Sequence, residues 1–390
     1  MLKFLHLKNV GPAPEMTMEL ADRLNLITGD NGLGKSFLLD VAWWALTRRW
    51  PQEVNPNLTS GYPARPTDVK KPATIEFRLT SKTKAKEVSY TSTYALLDQA
   101  WSGKPGRPWN PGLVVYAHAD GGFSVWDPAR NYWKKKGNID VQQDRLPGYV
   151  FSQKQVWDGL DVGPEKVCNG LLMDWAIWIR ENGIPAKNMA AVLTALSPSS
   201  DPHDQLNPGP LVRMSLNSGK DVPSLATDYA PAVPILHASS GVRRIVALAY
   251  MILWTWQEHR IAAKQIGADF TNQVVILIDE IESHLHPRWQ RTILTSVLKL
   301  MKRLHPSAKT QLIAATHSPL ILASAEPNFD AKLDAWFDLD LVGHKVELKK
   351  RDYVRLGDIS NWLTSDAFDL KEPRSLEAEQ AILRAMALLR

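Results

Sequence analysis

Uncharged apolar runs and stretches of helical periodicity alternate along the 390-residue chain. Residues 24–29 (LNLITG) predict a short buried strand that ends in a glycine turn, and residues 36–49 predict a helix. Residues 52–72 are rich in Pro, Asn and Gly and predict a loop. The β-type segments within residues 73–130 then predict an antiparallel sheet beside the first strand.

The second half of the chain changes from helical to mixed α/β character. Residues 151–196 predict mainly helices, with residues 165–182 as one helix, before a Pro- and Ser-rich loop. A long helix at about 240–262 follows, and the apolar runs 274–278 and 311–316 predict parallel strands separated by helices. The pattern predicts an α/β fold with a mixed, largely parallel sheet core, an antiparallel β subdomain and a helical lobe.

Composition limits the class of protein. Hydrophobic residues make up 44% and charged residues 22% of the chain, as in ordinary globular proteins, and the net charge of +5 permits nucleic-acid contact without requiring it. The single cysteine, Cys168, excludes an intrachain disulfide and a thiolate zinc cluster, which favours a reducing cytosol. The apolar run 245–256 is too short to span a bilayer, and the N-terminus lacks a signal-peptide pattern. We therefore expect a cytoplasmic protein with no membrane partner.

A glycine-rich motif lies between the first predicted strand and the helix after it. It matches GxxxxGK[ST], in which backbone N–H groups and the helix N-terminus surround phosphate groups. In this pattern Lys35 contacts the β- and γ-phosphates, and the Ser36 hydroxyl binds Mg²⁺. The predicted ATP-binding residues of this segment are Gly29, Asp30, Asn31, Gly32, Leu33, Gly34, Lys35, Ser36 and Phe37.

Two further motifs follow predicted strands. Asp279 and Glu280 end the run 274–278, so that Asp279 is a candidate Mg²⁺ ligand through water and Glu280 a candidate general base for the attacking water. His317 follows the run 311–316, where its ring would contact the γ-phosphate and that water. Both motifs place polar groups at strand ends, as phosphate chemistry at a parallel sheet requires.

A fourth motif opens the long helix. Ser239 is a good N-cap residue, and Gly241 permits close approach of another backbone. With Ser240, these residues would offer hydroxyl and N–H donors to an anion at a helix N-terminus. A serine in this position is also a common structural cap.

The order of the four motifs resembles the ABC-type ATPase superfamily, within it the branch that contains RecF and the overcoming-lysogenization-defect (OLD) ATPases. The segment 238–242 (ASSGV) stands where that superfamily has LSGGQ, with Ser239 and Gly241 matching and Ser240 replacing the first glycine. The resemblance implies that Ser239 contacts the γ-phosphate held by another subunit. It therefore implies composite ATP sites in a homodimer or a higher oligomer.

The segment 278–290 (IDEIESHLHPRWQ) resembles the Walker B motif and D-loop of stand-alone AAA-type ATPases found with bacterial defence systems. The resemblance implies that His286 lies at the subunit interface. It also implies a glutamine that touches Mg²⁺ or water, for which Gln153 is the first candidate and Gln155 the alternative. The resemblance covers residues 1–50 and 237–325 well and the region between them in layout only.

The resemblance assigns a role to each part of the chain. Residues 1–150 would form the N-terminal part of an ABC-type ATPase head with an antiparallel β subdomain, and residues 151–236 a helical lobe. Residues 237–330 would form the C-terminal part of the head, followed by a β/α extension at 331–390. The cofactors implied are ATP and Mg²⁺.

Two functions remain open at this point. In the first, the ATP-bound dimer is a switch that controls a separately encoded effector, such as a nuclease, in Septu-like or retron-associated antiphage defence. In the second, the dimer is a RecF-like clamp that binds DNA in repair or recombination. Basic clusters at 82–86, 134–136 and 349–351 would suit DNA as a partner, but they also suit a solvated surface.

The C-terminal part carries weaker signals. Asp338 and Asp340 form a D-x-D pair that we expect to face solvent, and residues 375–390 predict an amphipathic helix that packs on its own domain or binds a partner. The residues after His317 are too few for the Toprim domain of OLD nucleases, so we expect an ATPase without its own nuclease. The lack of a heptad run argues against an SMC-like tether.

Overall fold

The structure is a computed structural model that describes residues 1–81, 84–103, 109–132, 145–368 and 370–388. Strands dominate the chain as far as residue 168. The elements of this part are β1 (Leu2–Lys8), β2 (Glu15–Glu19), β3 (Leu24–Gly29), α1 (Lys35–Thr47), α2 (Pro51–Val54), β4 (Thr74–Ser81), β5 (Lys84–Ala95), β6 (Ala100–Trp101), β7 (Leu113–Ala117), β8 (Phe123–Trp126), β9 (Tyr149–Phe151), α3 (Gln153–Asp158), β10 (Leu160–Val162) and β11 (Glu165–Cys168).

Longer helices appear in the remainder, and the short strands between residues 207 and 234 form small sheets of their own. The elements are α4 (Leu171–Glu181), α5 (Ile184–Leu196), β12 (Asn207–Pro208), β13 (Val212–Arg213), β14 (Asp221–Val222), β15 (Ser224–Thr227), β16 (Ala230–Pro234), α6 (Ser240–Gln265), β17 (Gln273–Ile278), α7 (Pro287–Gln290), α8 (Ile293–Leu304), β18 (Lys309–Ala315), α9 (Pro319–Ala325), β19 (Asp334–Val342), β20 (Lys345–Arg351), α10 (Ile359–Leu363) and α11 (Leu376–Leu388).

An eight-stranded sheet forms the centre of the fold, in the order β20-β19-β3-β18-β17-β7-β8-β9. Strands β19, β3, β18, β17 and β7 run parallel, and antiparallel partners extend the sheet at both edges. Buried apolar side chains follow one another without a break over residues 274–278 of β17 and 312–315 of β18, because both faces of a parallel sheet are covered. The α/β fold class predicted from the sequence is confirmed.

Alternate residues of the central strands belong to two different cores. Ile276 and Leu312 face the helices α4, α5, α6 and α8, whereas Val275 and Ile313 face α1 and the five-stranded sheet β2-β1-β4-β5-β6. Each such fully buried side chain contributes about 1.5–3 kcal/mol relative to an exposed one. The packing on both faces fixes the ends of β3, β17 and β18 side by side.

The structure corrects several predictions about local structure. The β segments of residues 73–130 do not form one sheet, because β4 pairs with β1 and β5 with β4, whereas β7 pairs in parallel with β17. The predicted helix 165–182 begins later, at Leu171, because residues 165–168 form β11. Gly170, with φ +88°, makes the turn between that strand and the helix.

Helix α6 contains the longest apolar run of the chain. Residues 245–256 are buried between the sheet and α5, so their apolar character reflects a core helix. Within the described ranges, no helix combines the length and apolar character required to cross a bilayer.

The C-terminal residues extend the sheet and then leave it. Asp338 does not face solvent as predicted, because it lies beside β3 and accepts hydrogen bonds from Thr28 Oγ1 (2.8 Å) and Arg351 Nη2 (3.0 Å). Ser375 caps α11 by accepting a hydrogen bond from the Ala378 N–H (3.3 Å). None of the described α11 residues is buried: on the predicted apolar face, Ile382 is half-buried and Met386 is exposed.

Candidate active site

The glycine-rich segment forms a loop between β3 and α1. Gly29, Gly32 and Gly34 have φ values of +131°, +80° and +103°, which side-chain-bearing residues rarely adopt. A Cβ atom on Gly29 would also overlap the carbonyl of Leu339 in β19. Gly34 occupies the N-cap position of α1 without a side chain, which leaves the N-terminal N–H groups of a 13-residue helix to meet an anion.

Lys35 folds back over this loop. Its Nζ donates hydrogen bonds to the carbonyl oxygens of Gly29 (2.7 Å) and Asp30 (2.7 Å). Burial lowers the pKa of the Lys35 ammonium, and the nearby carboxylates of Asp279 and Asp30 partly oppose that effect. The ammonium therefore lies within the loop, where it is partly shielded from water and phosphate oxygens would accept its hydrogen bonds. Phe37, the last predicted binding residue, is half-buried and lies against Gly11.

Ser36 and Asp279 meet at the start of α1. The Ser36 hydroxyl donates to the carboxylate of Asp279, whose pKa is raised chiefly by burial and lowered less by this hydrogen bond. A serine hydroxyl and an aspartate carboxylate are oxygen donors of the type that Mg²⁺ prefers. These two residues therefore fit the predicted metal ion.

The predicted water-activating and sensing residues lie on the neighbouring strand ends. Glu280 follows β17 and has φ +47°, whereas His317 follows β18. The pKa of the His317 ring is lowered by burial and then by the charge of Lys35, which favours the neutral imidazole at pH 7. Strands β3, β18 and β17 are adjacent and parallel, so the residues that follow their C-terminal ends lie side by side at one edge of the sheet.

Glu282 connects the Walker B segment to the histidine motif, a role that the sequence analysis missed. Its carboxylate accepts hydrogen bonds from the Thr316 hydroxyl (2.7 Å) and the His317 N–H (2.6 Å). The motif IDEIE contains this third acidic residue, but only the tertiary structure shows that it fixes the segment carrying His317.

The segment 239–241 begins α6. Ser239 is exposed and accepts a hydrogen bond from the Val242 N–H (3.3 Å), and Ser240 is exposed beside it. Gly241 lies against the D-loop, where a Cβ atom would overlap the carbonyl oxygen of His284. In the described parts of the chain, Ser239 forms no hydrogen bond with the phosphate loop of the same molecule.

The two glutamine candidates have different surroundings. Gln155 completes a capping box, in which its Oε1 accepts from the Ser152 N–H (2.8 Å) and from Asn55 Nδ2 (2.7 Å). Gln153 is exposed and lines a cavity of about 310 Å³ together with Ser240 and residues of the D-loop. Neither Gln153 nor Gln155, both described here, hydrogen-bonds to Ser36 or Asp279, so their role at a metal ion stays a prediction.

The basic clusters are only partly described. Residue 82 and residues 134–136 lie outside the described residues. In β20, Lys349 forms an ion pair with Glu347 (2.7 Å) and Arg351 with Asp338 (3.0 Å). These pairs reduce the positive charge that the third cluster offers to a nucleic acid.

Comparison with family models finds two matches. Residues 5–108 match a model described as an AAA domain, and residues 181–323 match a model described as AAA domain, putative AbiEii toxin, Type IV TA system. The two matched segments include all four motifs.

Curated relatives match over short segments. The Septu protein PtuA of Bacillus mycoides (strain KBAB4) is 38% identical over 84 residues, which is 22% of this chain and 10% of that protein. The Septu protein PtuA of Bacillus thuringiensis is 35% identical over 101 residues (26% and 24%). The retron Ec83 probable ATPase of Escherichia coli is 31% identical over 98 residues (25% and 15%). The matches thus span at most about a quarter of each relative's length.

Among solved structures, the SMC head domain from Thermotoga maritima is similar over 90% of this chain and 99% of that chain, at 15% identity and a TM-score of 0.42. This likeness is too low to bear on function. The motif order on one sheet edge and the matches to AAA domains do bear on it. They support ATPase activity for a chain that contains two segments similar to AAA domains.

Proposed function

We propose that this ATPase closes into a homodimer around ATP and Mg²⁺, reopens after hydrolysis, and thereby switches a separately encoded effector in the cytoplasm. The observation that carries this proposal is that Ser239, at the N-terminus of α6, is exposed. It does not join Lys35 and Ser36 in the phosphate loop of the same chain. A second molecule can bring Ser239 to a bound γ-phosphate, which makes each ATP site composite.

ATP would bind with its phosphates in the loop between β3 and α1. The Lys35 ammonium would exchange its carbonyl contacts for the β- and γ-phosphates, and the N–H groups of α1 would add the positive end of the helix dipole. Ser36 and Asp279 would hold Mg²⁺ between them. When bound, the ion neutralises charge that develops on the phosphate oxygens.

Hydrolysis would depend on the residues at the ends of β17 and β18. The Glu280 carboxylate would orient the attacking water and accept its proton. The neutral His317 ring can donate a hydrogen bond to the γ-phosphate, and Glu282 holds its backbone in place. Loss of the γ-phosphate would remove the contacts of both His317 and the partner's Ser239, so the dimer would open.

The effector function is supported by similarity. Relatives named Septu protein PtuA and retron ATPases suggest a role in bacterial antiphage defence. The family resemblance further suggests a nuclease as the effector. The alternative RecF-like clamp would instead bind DNA through the dimer itself. Hydrolysis stimulated by DNA in the purified ATPase, with a strong dependence on salt, would favour that alternative.

The central test is the mass of Glu280→Gln in solution, measured by light scattering with and without ATP and Mg²⁺. We expect a dimer with ATP, because the variant binds ATP but hydrolyses it slowly. Adding Ser239→Arg should abolish that dimer, whereas Ser215→Arg, at an exposed loop serine, should leave it intact. An unchanged mass with ATP would contradict ATP-driven closure.

A further inference from the structure

Arg244 links the N-terminal turns of α6 to the ends of two sheet strands. Its Nη1 donates a hydrogen bond to the carbonyl of Ala119 (2.9 Å), after β7. Its Nη2 donates to the carbonyls of Asp279 (3.0 Å) and Glu280 (3.3 Å), after β17. One guanidinium thus contacts three backbone carbonyls, and it lies five residues from Ser239 in the same helical segment.

The two carbonyls after β17 belong to the two peptide groups that flank the α-carbon of Glu280. Glu280 has φ +47°, a conformation that residues with side chains seldom adopt and that surrounding contacts must maintain. Because Arg244 holds both flanking peptide groups, it restricts the rotation of both backbone dihedrals of Glu280. The direction of the Glu280 side chain follows from those dihedrals.

The charged and polar groups around the Arg244 guanidinium suit a residue that holds a fixed position. Burial lowers the pKa of its guanidinium, and the carboxylates of Glu280, Asp279 and Glu282 oppose that effect. A half-buried charge is costly unless polar groups compensate it, and here backbone carbonyls do so. A lysine could not reproduce the fork of donors that reaches all three carbonyls.

We propose that Arg244 is a positioning residue that holds Glu280 in its hydrolytic orientation and connects it to α6. The inference rests on the proposed function, in which Glu280 is the general base. It extends that function, because α6 begins at Ser239, where the partner's ATP would dock. Movement of α6 on closure would therefore be transmitted to the base of the same chain through a single side chain.

The first test compares Arg244→Ala and Arg244→Lys with the unchanged protein. We expect Arg244→Ala to lower kcat about 100-fold, since misplacement of a reacting group by about 1 Å costs that much, while the Kd for ATP changes less than about threefold. Arg244→Lys should fall between the two. The matched control Arg260→Ala, at an exposed arginine further along α6, should retain normal kcat.

Chemical rescue provides a readout that a purely structural role would not produce. Arg244 lines the cavity of about 310 Å³ beside Gln153, so its removal leaves room for a guanidinium ion. Guanidinium at millimolar concentration should restore a measurable part of the lost kcat to Arg244→Ala. It should restore nothing to Glu280→Gln. Equal effects of guanidinium on both variants would overturn the proposal.

The double variant Arg244→Ala/Glu280→Gln separates the two hypotheses. If Arg244 acts through Glu280, the double variant hydrolyses ATP no more slowly than Glu280→Gln alone. A further loss of 100-fold in the double variant would refute the positioning role. Normal hydrolysis by Glu280→Gln would refute the proposed general base itself. Normal hydrolysis by Arg244→Ala, with a slow Glu280→Gln, would refute the role of Arg244 alone.

Discussion

Asp40 lies one helical turn after Ser36 on α1 and accepts a hydrogen bond from the Tyr116 hydroxyl (3.0 Å). Burial raises the pKa of its carboxyl from 3.8 to about 7, and the charge of Asp279 adds to this effect. The carboxyl groups of Asp40 and Asp279 thus lie close enough for their charges to interact. The sequence analysis did not single out Asp40, because only the fold brings Asp279 near it.

The pKa of Asp40 leads to a prediction about stability and pH. The folded protein binds the Asp40 proton more tightly than the unfolded chain does, so this residue costs stability as the pH rises from about 4 to about 7. The asparagine in Asp40→Asn cannot ionise, so the variant should gain on the order of 2 kcal/mol relative to the wild type between pH 5 and pH 8. Midpoint temperatures of thermal unfolding, measured without nucleotide, report the difference. Asp98→Asn, at an exposed aspartate, is the control. A pH-independent difference would contradict the raised pKa.

Replacing the candidate general base tests the chemistry at the end of β17. Glu280→Gln keeps the size of the side chain but removes the proton acceptor, so we expect hydrolysis to slow by about 10²- to 10⁴-fold with little change in ATP affinity. Phosphate release tests the slower hydrolysis, and nucleotide binding, measured on the same preparation, tests the unchanged affinity. Glu181→Gln, at an exposed glutamate of α4, is the control. Hydrolysis at the normal rate would show that another group activates the water.

Local signals in the sequence predicted the positions of most candidate residues in the fold. Lys35, Ser36, Asp279 and His317 lie where the motifs placed them, because each motif is a strand end or helix start whose pattern is contiguous. Glu282 and Arg244 were missed for a physical reason: their contacts join residues 34 to 125 positions apart in the chain. No short window of sequence contains both partners.

At the scale of elements, α6 and the D-loop touch directly at Gly241. The backbone of His284, with φ +62°, approaches so closely that glycine is required at this helix position. Strand pairing was the least predictable property at this scale. The apolar run in β7 suits an antiparallel or a parallel strand equally, and its pairing with β17 joins residues far apart in sequence.

The contact at Gly241 predicts the effect of adding one methyl group. Gly241→Ala should separate α6 from the D-loop and destabilise the protein by about 1–3 kcal/mol, as overpacking does. The loss should appear although alanine favours helices more than glycine does. Thermal unfolding measures it, and Gly219→Ala, where a Cβ atom meets open space, is the control. A gain in stability would show that the two segments separate freely.

At the scale of the whole molecule, composite sites predict that two inactive variants complement each other. Lys35→Ala removes the phosphate loop contact but keeps Ser239, whereas Ser239→Arg keeps the loop but removes the serine. A mixed dimer has one intact site. Mixing equal amounts should therefore restore about a quarter of wild-type hydrolysis, since roughly half of the dimers are mixed. Mixtures without activity would argue that each chain contains a complete site, or that both sites must act together.

Strand β19 separates β3 from the outer edge of the sheet and lies close to Gly29 at the start of the phosphate loop. Protein shortened before Asp334 would retain every nucleotide motif, yet its β3 would present a bare row of N–H and C=O groups to other chains. Such a fragment should aggregate when it is produced. Anyone who trims this enzyme for crystals or assays therefore has to keep the hairpin of β19 and β20, although no motif lies within it.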